Sequence, residues 1–289
     1  FTFMTWDSAK AIREKVTAGT KVLIIGAGLI GLKCAEALHH LNADITVVDL
    51  ADRILPSILD VRAGEIMQKH IEDKGTKFIL GTSVEQFSKN SAKLTNGETV
   101  DFDILVIAVG VRPNTELVSE AGGKVEKGII TDLHQQTTID NVYAAGDCTV
   151  SHDCSSNTDR ILALLPNAFM QGEVAGKNMA GEETLYLNAI PMNAIGFYGL
   201  HIITAGSYDG DEDITEDADK EIYKKLVFKD GLLKGFILMG DVARAGIYTS
   251  MIKEQIPLTE VDLDLLRDKP QMMMFGKARR EEKLAGKKH

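Results

Sequence analysis

The segment KVLIIGAGLIG, Lys21 to Gly31, constrains this chain more than any other stretch. Val22 to Ile25 is a continuous apolar run, the pattern of a parallel strand buried on both faces. Gly26, Gly28 and Gly31 follow at G-x-G-x-x-G spacing. The first glycine permits a tight turn. The second lets the backbone approach a pyrophosphate, and the third lets a helix pack close to the strand. LKCAEALHHLNA continues that helix. Its first residues, Leu29 and Ile30, turn free N–H groups and the positive dipole end toward the phosphates. DITVVD is the next strand and ends in Asp49. An acid there accepts hydrogen bonds from ribose hydroxyls and repels a 2′-phosphate, so NADH is expected over NADPH. Arg53 is in reach of a 2′-phosphate in principle. It is read as a solvated surface arginine, with Asp49 and Asp52 opposing the phosphate.

The rest of the first part fits one α/β domain. Asp7 to Val16 and Asp60 to Gly75 read as amphipathic helices, the second with Ile66, Met67, His70 and Ile71 along one stripe. TKFILG reads as a strand, and VEQFSKN, AKLTN and ETVDFD as short strands around an Asn96-Gly97 turn. DILVIAVG is a buried strand ended by Gly110 and Pro113. GIITDLHQQTTIDNVYAAGDC is expected to hold two short strands, the second buried and delivering Asp147 to a turn opened by Gly146. LPNAFMQGEVAGKNMAG is a helix with Pro166 and Asn167 in its first turn and Gly181 at its end. From Leu185 the texture changes to strands followed by a helix, an α+β portion. There Asp241 and Arg244 read as a helix-start pair rather than an acid and a base.

No metal is expected. DGDEDITEDADKE, Asp209 to Glu221, is read as a solvated acidic loop without the EF-hand spacing. Cys148 and Cys154, with His152 between them, are a poor zinc pattern and are read as free thiols. Three cysteines in 289 residues do not make a secreted disulfide framework. A net charge of −10 argues against nucleic acid as the main partner. No run reaches membrane-span length, so a cytoplasmic location is expected.

Four motifs carry a resemblance across nearly the whole chain: VLIIGAGLIG…ITVVD, DILVIAVGVRPN, VYAAGDC and LPNAFMQGEVAGKNMAG. Together they resemble the flavin-dependent pyridine nucleotide–disulfide oxidoreductase superfamily. KLVFKDGLLKGFILMGDVARAGIYTSMI looks like the last domain of its NADH oxidase, rubredoxin reductase and nitrite reductase large-subunit branch. The resemblance implies an α/β fold with a Rossmann-like NAD(H) domain (1–109), the remainder of a second Rossmann-like FAD domain (110–184), a small α+β domain (185–275) and a charged tail (276–289). It also implies FAD and NAD(H) as cofactors. The residues implied to bind them are Gly26, Gly28, Leu29, Ile30, Gly31, Asp49, Arg53 and Gly110 with the NAD domain, and Gly146, Asp147, Pro166 and Asn167 with the flavin. In the family, the carboxylate at Asp147 meets the ribityl chain, and the helix at Pro166 points its positive end at the flavin ring. A separate FAD loop precedes the NAD loop there, so the chain is read as the C-terminal part of a larger enzyme. Lys33 departs from the glutamate many relatives carry at that place.

The function expected from the resemblance is hydride transfer from NADH to FAD, with electrons passed to an unassigned acceptor. Rubredoxin, a nitrite-reducing site, oxygen and a disulfide all remain open, and no catalytic residue is assigned. The alternative is a nucleotide-binding piece without catalysis, unable to hold FAD. NADH is the expected small-molecule partner, a homodimer is left open, and neither nucleic acid nor a membrane is expected.

Overall fold

The apolar run Lys21–Ile25 forms β1, whose Leu23 and Ile24 are fully buried. In the computed structural model, which describes residues 1–285, β1 lies between β2 (Asp44–Val48) and β7 (Ile104–Ile107), parallel to both. β3 (Lys77–Ile79) extends the sheet beyond β2 to give the order β3-β2-β1-β7, which is the dinucleotide-binding order. Helices α1 (Trp6–Lys15), α2 (Leu29–His39) and α3 (Val61–Glu72) accompany this sheet. Thr5 caps α1 through Ser8 N–H, and Asp60 caps α3 through Ala63 N–H at 2.9 Å, the local chemistry expected of helix starts. A separate antiparallel meander, β4 (Val84–Phe87), β5 (Ser91–Leu94) and β6 (Thr99–Asp101), brings Ala92 and Leu94 into one apolar cluster with Leu23 and Val48.

The chain divides into two units, residues 1–111 with 195–201, and residues 112–194 with 202 onward. The segment 195–201 is the tip of a hairpin formed by β11 (Met192–Phe197) and β12 (Leu200–Gly206). Tyr198 and Gly199 turn the chain with φ of 51° and 92°, both left-handed as a tight hairpin turn requires. Within the first unit this tip is anchored at every side of Tyr198. Its N–H donates to Glu36 at 2.6 Å, and its carbonyl accepts from His70 Nε2 at 3.2 Å. Its hydroxyl pairs with Thr76 at 3.2 Å, and its ring meets His39 edge-on. Lys33 donates to the Gly196 carbonyl and sits 4.8 Å from the centre of the Phe197 ring. Lys33 thus serves the hairpin tip and Glu36.

In the second unit, α4 (Glu116–Glu120) is followed by β8 (Ile129–Ile130), which pairs in parallel with β9 (Thr149–Asp153). β9 turns back into β10 (Thr158–Ile161). This β9–β10 hairpin was not foreseen. The second strand expected at VYAAG does not form: Tyr143 has a single bridge to Gln136, and Val142 is exposed. A strand is defined by its ladder, and no second strand runs beside these residues among those described. α5 (Leu165–Met179) begins with Pro166 in its first turn and ends against Gly181 with φ 85°, as read from the sequence.

The remaining sheet has the order β11-β12-β15-β14-β13. It includes β13 (Asp211–Asp217), β14 (Ile222–Lys229) and β15 (Leu232–Met239). The stretch expected as an acidic loop is therefore mostly an edge strand, in register with β14 from Asp211↔Phe228 to Asp217↔Ile222. Its charge is tolerated because basic partners face it. Lys225 meets Glu212 at 2.5 Å, Arg267 meets Asp213 at 2.6 Å, and Lys220 meets Asp217 at 2.8 Å. Acidic side chains on an edge also discourage strand addition. α6 (Ala245–Lys253) packs Tyr248 against Phe236 of β15, with ring centres 5.4 Å apart. Asp241 and Arg244 are not the pair expected: Asp241 accepts from Ala243 N–H, and Arg244 donates to the Pro270 carbonyl. α7 (Leu263–Asp268) follows. The stretch read as a charged tail contains α8 (Lys277–Leu284), held by Arg279–Glu260 and Lys283–Glu254 contacts of 2.9 and 2.8 Å. Its end, residues 286–289, lies outside the described residues.

Candidate functional site

The loop between β1 and α2 is shaped by two glycines that no other residue could replace without movement. A Cβ at Gly26, whose φ is 114°, would run into the Ala108 carbonyl. A Cβ at Gly31 would run into the Gly26 carbonyl. Gly28 is different: it is the N-cap of α2 and has open space where its side chain would be. The first turn of α2 carries no acid, so the N–H groups of Leu29, Ile30 and Gly31 present an uncompensated positive end. An open Gly28 beneath that end is what a pyrophosphate needs.

Asp49 closes the site from the end of β2. Its Oδ2 accepts from Ala27 N–H at 2.6 Å and its Oδ1 from Ala51 N–H at 2.7 Å. Each carboxylate oxygen keeps a further lone pair, and the residue is only partly buried. The carboxylate therefore fixes the glycine loop while remaining able to accept from a diol. The Ala27 and Ala51 contacts were not anticipated. Arg53 departs from its reading as a solvated residue. Its Nη1 pairs with Asp52 at 3.1 Å, but its Nε is buried without a hydrogen-bond partner. Gly110, with φ 110°, ends the segment after β7 and has open space at its Cβ position.

In the second unit, Gly146 adopts φ 89° and Asp147 is exposed beside it. The turn is held from α5 by Gln171, a residue sequence reasoning missed. Gln171 Oε1 accepts from Gly146 N–H at 2.5 Å, and its Nε2 donates to Ser151 Oγ at 2.5 Å. Its position could have been found from helical phase, since Asn167, Gln171, Val174 and Ala175 form the buried face of α5. Asn167 is fully buried. Its Nδ2 donates to the Ile190 carbonyl and its Oδ1 accepts from Tyr186. Burial also pushes the Tyr186 phenol up. Pro166 and Leu165 are exposed at the start of α5, and no acid lies in that turn. A helix end free of acids beside an exposed carboxylate and a glycine turn fits the polar end of a flavin.

The three cysteines are free: Cys34 is buried, and Cys148 and Cys154 are half-buried. Burial pushes the Cys34 thiol up to about 12. None of the helices among the described residues is long and apolar enough to cross a membrane.

The family profile "Pyridine nucleotide-disulphide oxidoreductase" matches residues 1–172, and the profile "Rubredoxin NAD+ reductase C-terminal domain" matches residues 191–256. The chain is 32% identical over 266 residues to the NADH-dependent phenylglyoxylate dehydrogenase subunit epsilon of Aromatoleum evansii, covering 88% of this chain and 63% of that one. It is 30% identical over 267 residues to the rubredoxin-NAD(+) reductase of Acinetobacter baylyi, covering 89% and 64%. The chain thus spans under two thirds of either relative. The fold matches that of a covalent putidaredoxin reductase–putidaredoxin complex with a TM-score of 0.84 at 21% identity, covering 98% of this chain and 68% of that one. The fold also matches that of a FAD-dependent pyridine nucleotide-disulphide oxidoreductase from Desulfovibrio vulgaris with a TM-score of 0.76 at 23% identity, covering 90% of this chain and 71% of that one. The chain belongs to the pyridine nucleotide-disulphide oxidoreductase family of NAD(P)H-dependent flavoproteins.

Proposed function

We propose that this chain carries the NADH site and part of the flavin site of an NADH:acceptor oxidoreductase. The division 1–109, 110–184 and 185–275 describes its functional parts. The observation that supports this best is the Asp49 carboxylate, fixed on Ala27 and Ala51 beside the open Gly28. In this reading the N–H groups of Leu29, Ile30 and Gly31 hold the pyrophosphate, and Asp49 accepts from the adenosine ribose. Gly26 and Gly31 keep loop and helix in contact. Asp147 accepts from the flavin side chain, and the start of α5 at Pro166 and Asn167 faces the ring with its positive end. A flavin bound there supplies the two-electron chemistry that takes hydride from NADH. The protein's share is to orient both nucleotides and hold Gly146 in place through Gln171.

An electron carrier or a carrier-like redox centre is the acceptor supported best. The support is the C-terminal profile, named for rubredoxin NAD+ reductase. The test is NADH-driven reduction of a dye and of a one-electron carrier protein by the flavin-loaded protein. NADH oxidation that requires a disulfide substrate, or no hydride transfer from NADH at all, would count against the reading.

A further inference from the structure

Leu55 is 1% exposed and adopts φ 50°. Among the described residues it is the one aliphatic side chain held in the left-handed region; the other non-glycine residues there are polar or aromatic. The region is unfavourable for a bulky side chain, and a residue kept in it tends to mark a functional site. Both backbone polar groups of Leu55 are engaged. Its N–H donates to the Ala27 carbonyl at 3.0 Å, and its own carbonyl accepts from the N–H groups of Ile58 and Leu59 at 3.1 and 3.0 Å. Ile54, Leu55, Ile58 and Leu59 are all buried, so the segment between β2 and α3 is seated in the core rather than draped over it. α3 passes close to it: a Cβ at Gly64 would lie 3.6 Å from the Ile54 carbonyl oxygen.

Ala27 is the middle residue between Gly26 and Gly28 and is fully buried. It is held from both sides. Asp49 Oδ2 takes its N–H at 2.6 Å, and Leu55 N–H meets its carbonyl. That carbonyl shares a peptide plane with the N–H of Gly28. In a trans peptide the two groups point in opposite directions. Drawing the Ala27 carbonyl toward Leu55 therefore turns the Gly28 N–H away from the 54–59 segment, at the start of α2.

We propose that Leu55 is a positioning residue for the nucleotide: its left-handed backbone fixes the Ala27–Gly28 peptide so that Gly28 N–H joins the α2 N-terminus in meeting the pyrophosphate. The proposal rests on the reading of the glycine loop as the NADH site and adds a residue outside the loop to it. The side chain never touches the ligand; it acts through the conformation it holds.

Calorimetric titration of the chain with NADH and with ADP-ribose tests this. Leu55→Ile keeps the apolar volume but adds a β-branch, which the left-handed region tolerates least. NADH affinity should fall about tenfold, the effect of one backbone hydrogen bond. ADP-ribose shares the pyrophosphate and should weaken by the same factor. Leu55→Met is unbranched at Cβ and should keep both affinities within about twofold, as a volume-conserving change does. If Leu55→Ile does not fold, Leu55→Gly and Leu55→Ala decide. Both lose nearly the same buried volume, but Gly reaches the left-handed region freely, so Leu55→Gly should bind NADH more tightly. The proposal is overturned by unchanged NADH affinity in Leu55→Ile, by equal losses in Leu55→Ile and Leu55→Met, by a loss confined to NADH, or by Leu55→Ala binding as tightly as Leu55→Gly. An unaltered chain that binds neither ligand overturns the NADH reading, and the proposal with it.

Discussion

Oδ2 of Asp49 lies 2.6 Å from the backbone nitrogen of Ala27, so the acid proposed to meet the ribose also holds the glycine loop to the end of β2. An amide at this position offers one acceptor instead of two and turns an NH₂ toward a backbone N–H. Asp49→Asn should lose NADH affinity by about 1–3 kcal/mol, the range for a hydrogen bond to a charged group and an unpaired donor. It should lose less for NADPH, because the charge that repels a 2′-phosphate is gone. Fluorescence titration of both nucleotides checks this, and an unchanged NADH preference would refute the assignment.

Gly26→Ala should disturb the first unit itself. Its φ of 114° and the Ala108 carbonyl in the path of the new Cβ both oppose the change. Backbone strain of this kind costs on the order of 1–3 kcal/mol. The expected result is a lower midpoint in urea with NADH binding lost. A stable variant that still binds NADH would show that the loop can shift without consequence.

Gln171→Met keeps the volume of a buried side chain but removes both contacts that tie α5 to Gly146 and Ser151. Leaving those groups unpaired should cost about 1–3 kcal/mol. Flavin retained after desalting should fall more than stability does, since the Gly146–Asp147 turn is freed. Equal losses in both measurements would make Gln171 structural only.

The thiols should react in order of access. Cys148 is half-buried, whereas Cys34 is fully buried and its thiol is raised to about 12 by burial. The thiolate is the reactive form. A thiol-specific reagent at pH 8 should modify Cys148 well before Cys34, which should react only on unfolding. Mass mapping of the labelled peptides reads the order directly.

The attachment of α8 should be acid-sensitive. Burial raises the Glu254 carboxyl, but hydrogen bonds from Lys283 and Ser250 outweigh it and hold it below its usual 4.5. A depressed carboxylate contributes stability above its unfolded value, and that contribution is lost as pH falls through the folded value. Hydrogen-exchange protection of α8 should therefore drop as pH is lowered from about 5 to 3, after correction for intrinsic exchange. Lys283→Gln should show the loss already at neutral pH. Protection that does not change with pH in the unaltered chain would contradict the coupling.

The glycine loop, Asp49 and most of the parallel sheet were legible because each follows from short-range rules: apolar runs, glycine spacing, and an acid at a strand end. What failed depended on partners distant in sequence. Asp211–Asp217 looked like a solvated loop because its charges repel locally, but Lys225 and Arg267 neutralise them across the fold. VYAAG looked like a strand by composition, yet pairing is decided by what lies alongside it. Arg53 seemed to be a surface residue because a sequence does not show which atoms of a long side chain are covered. Gln171 carries no motif; only the phase of α5 points to it.

The hairpin tip around Tyr198 has a consequence for synthesis. Its contacts with Glu36, His70 and Thr76 span 162, 128 and 122 residues of sequence. At about 5–20 residues per second, the sheet and helices of the first unit leave the ribosome several seconds before the residues that complete them. During that interval the surface around His70 and Thr76 lacks its cover. The nascent domain is therefore an incomplete intermediate, and substitutions at Tyr198 or Gly199 should lower soluble yield more than they lower the stability of protein already folded.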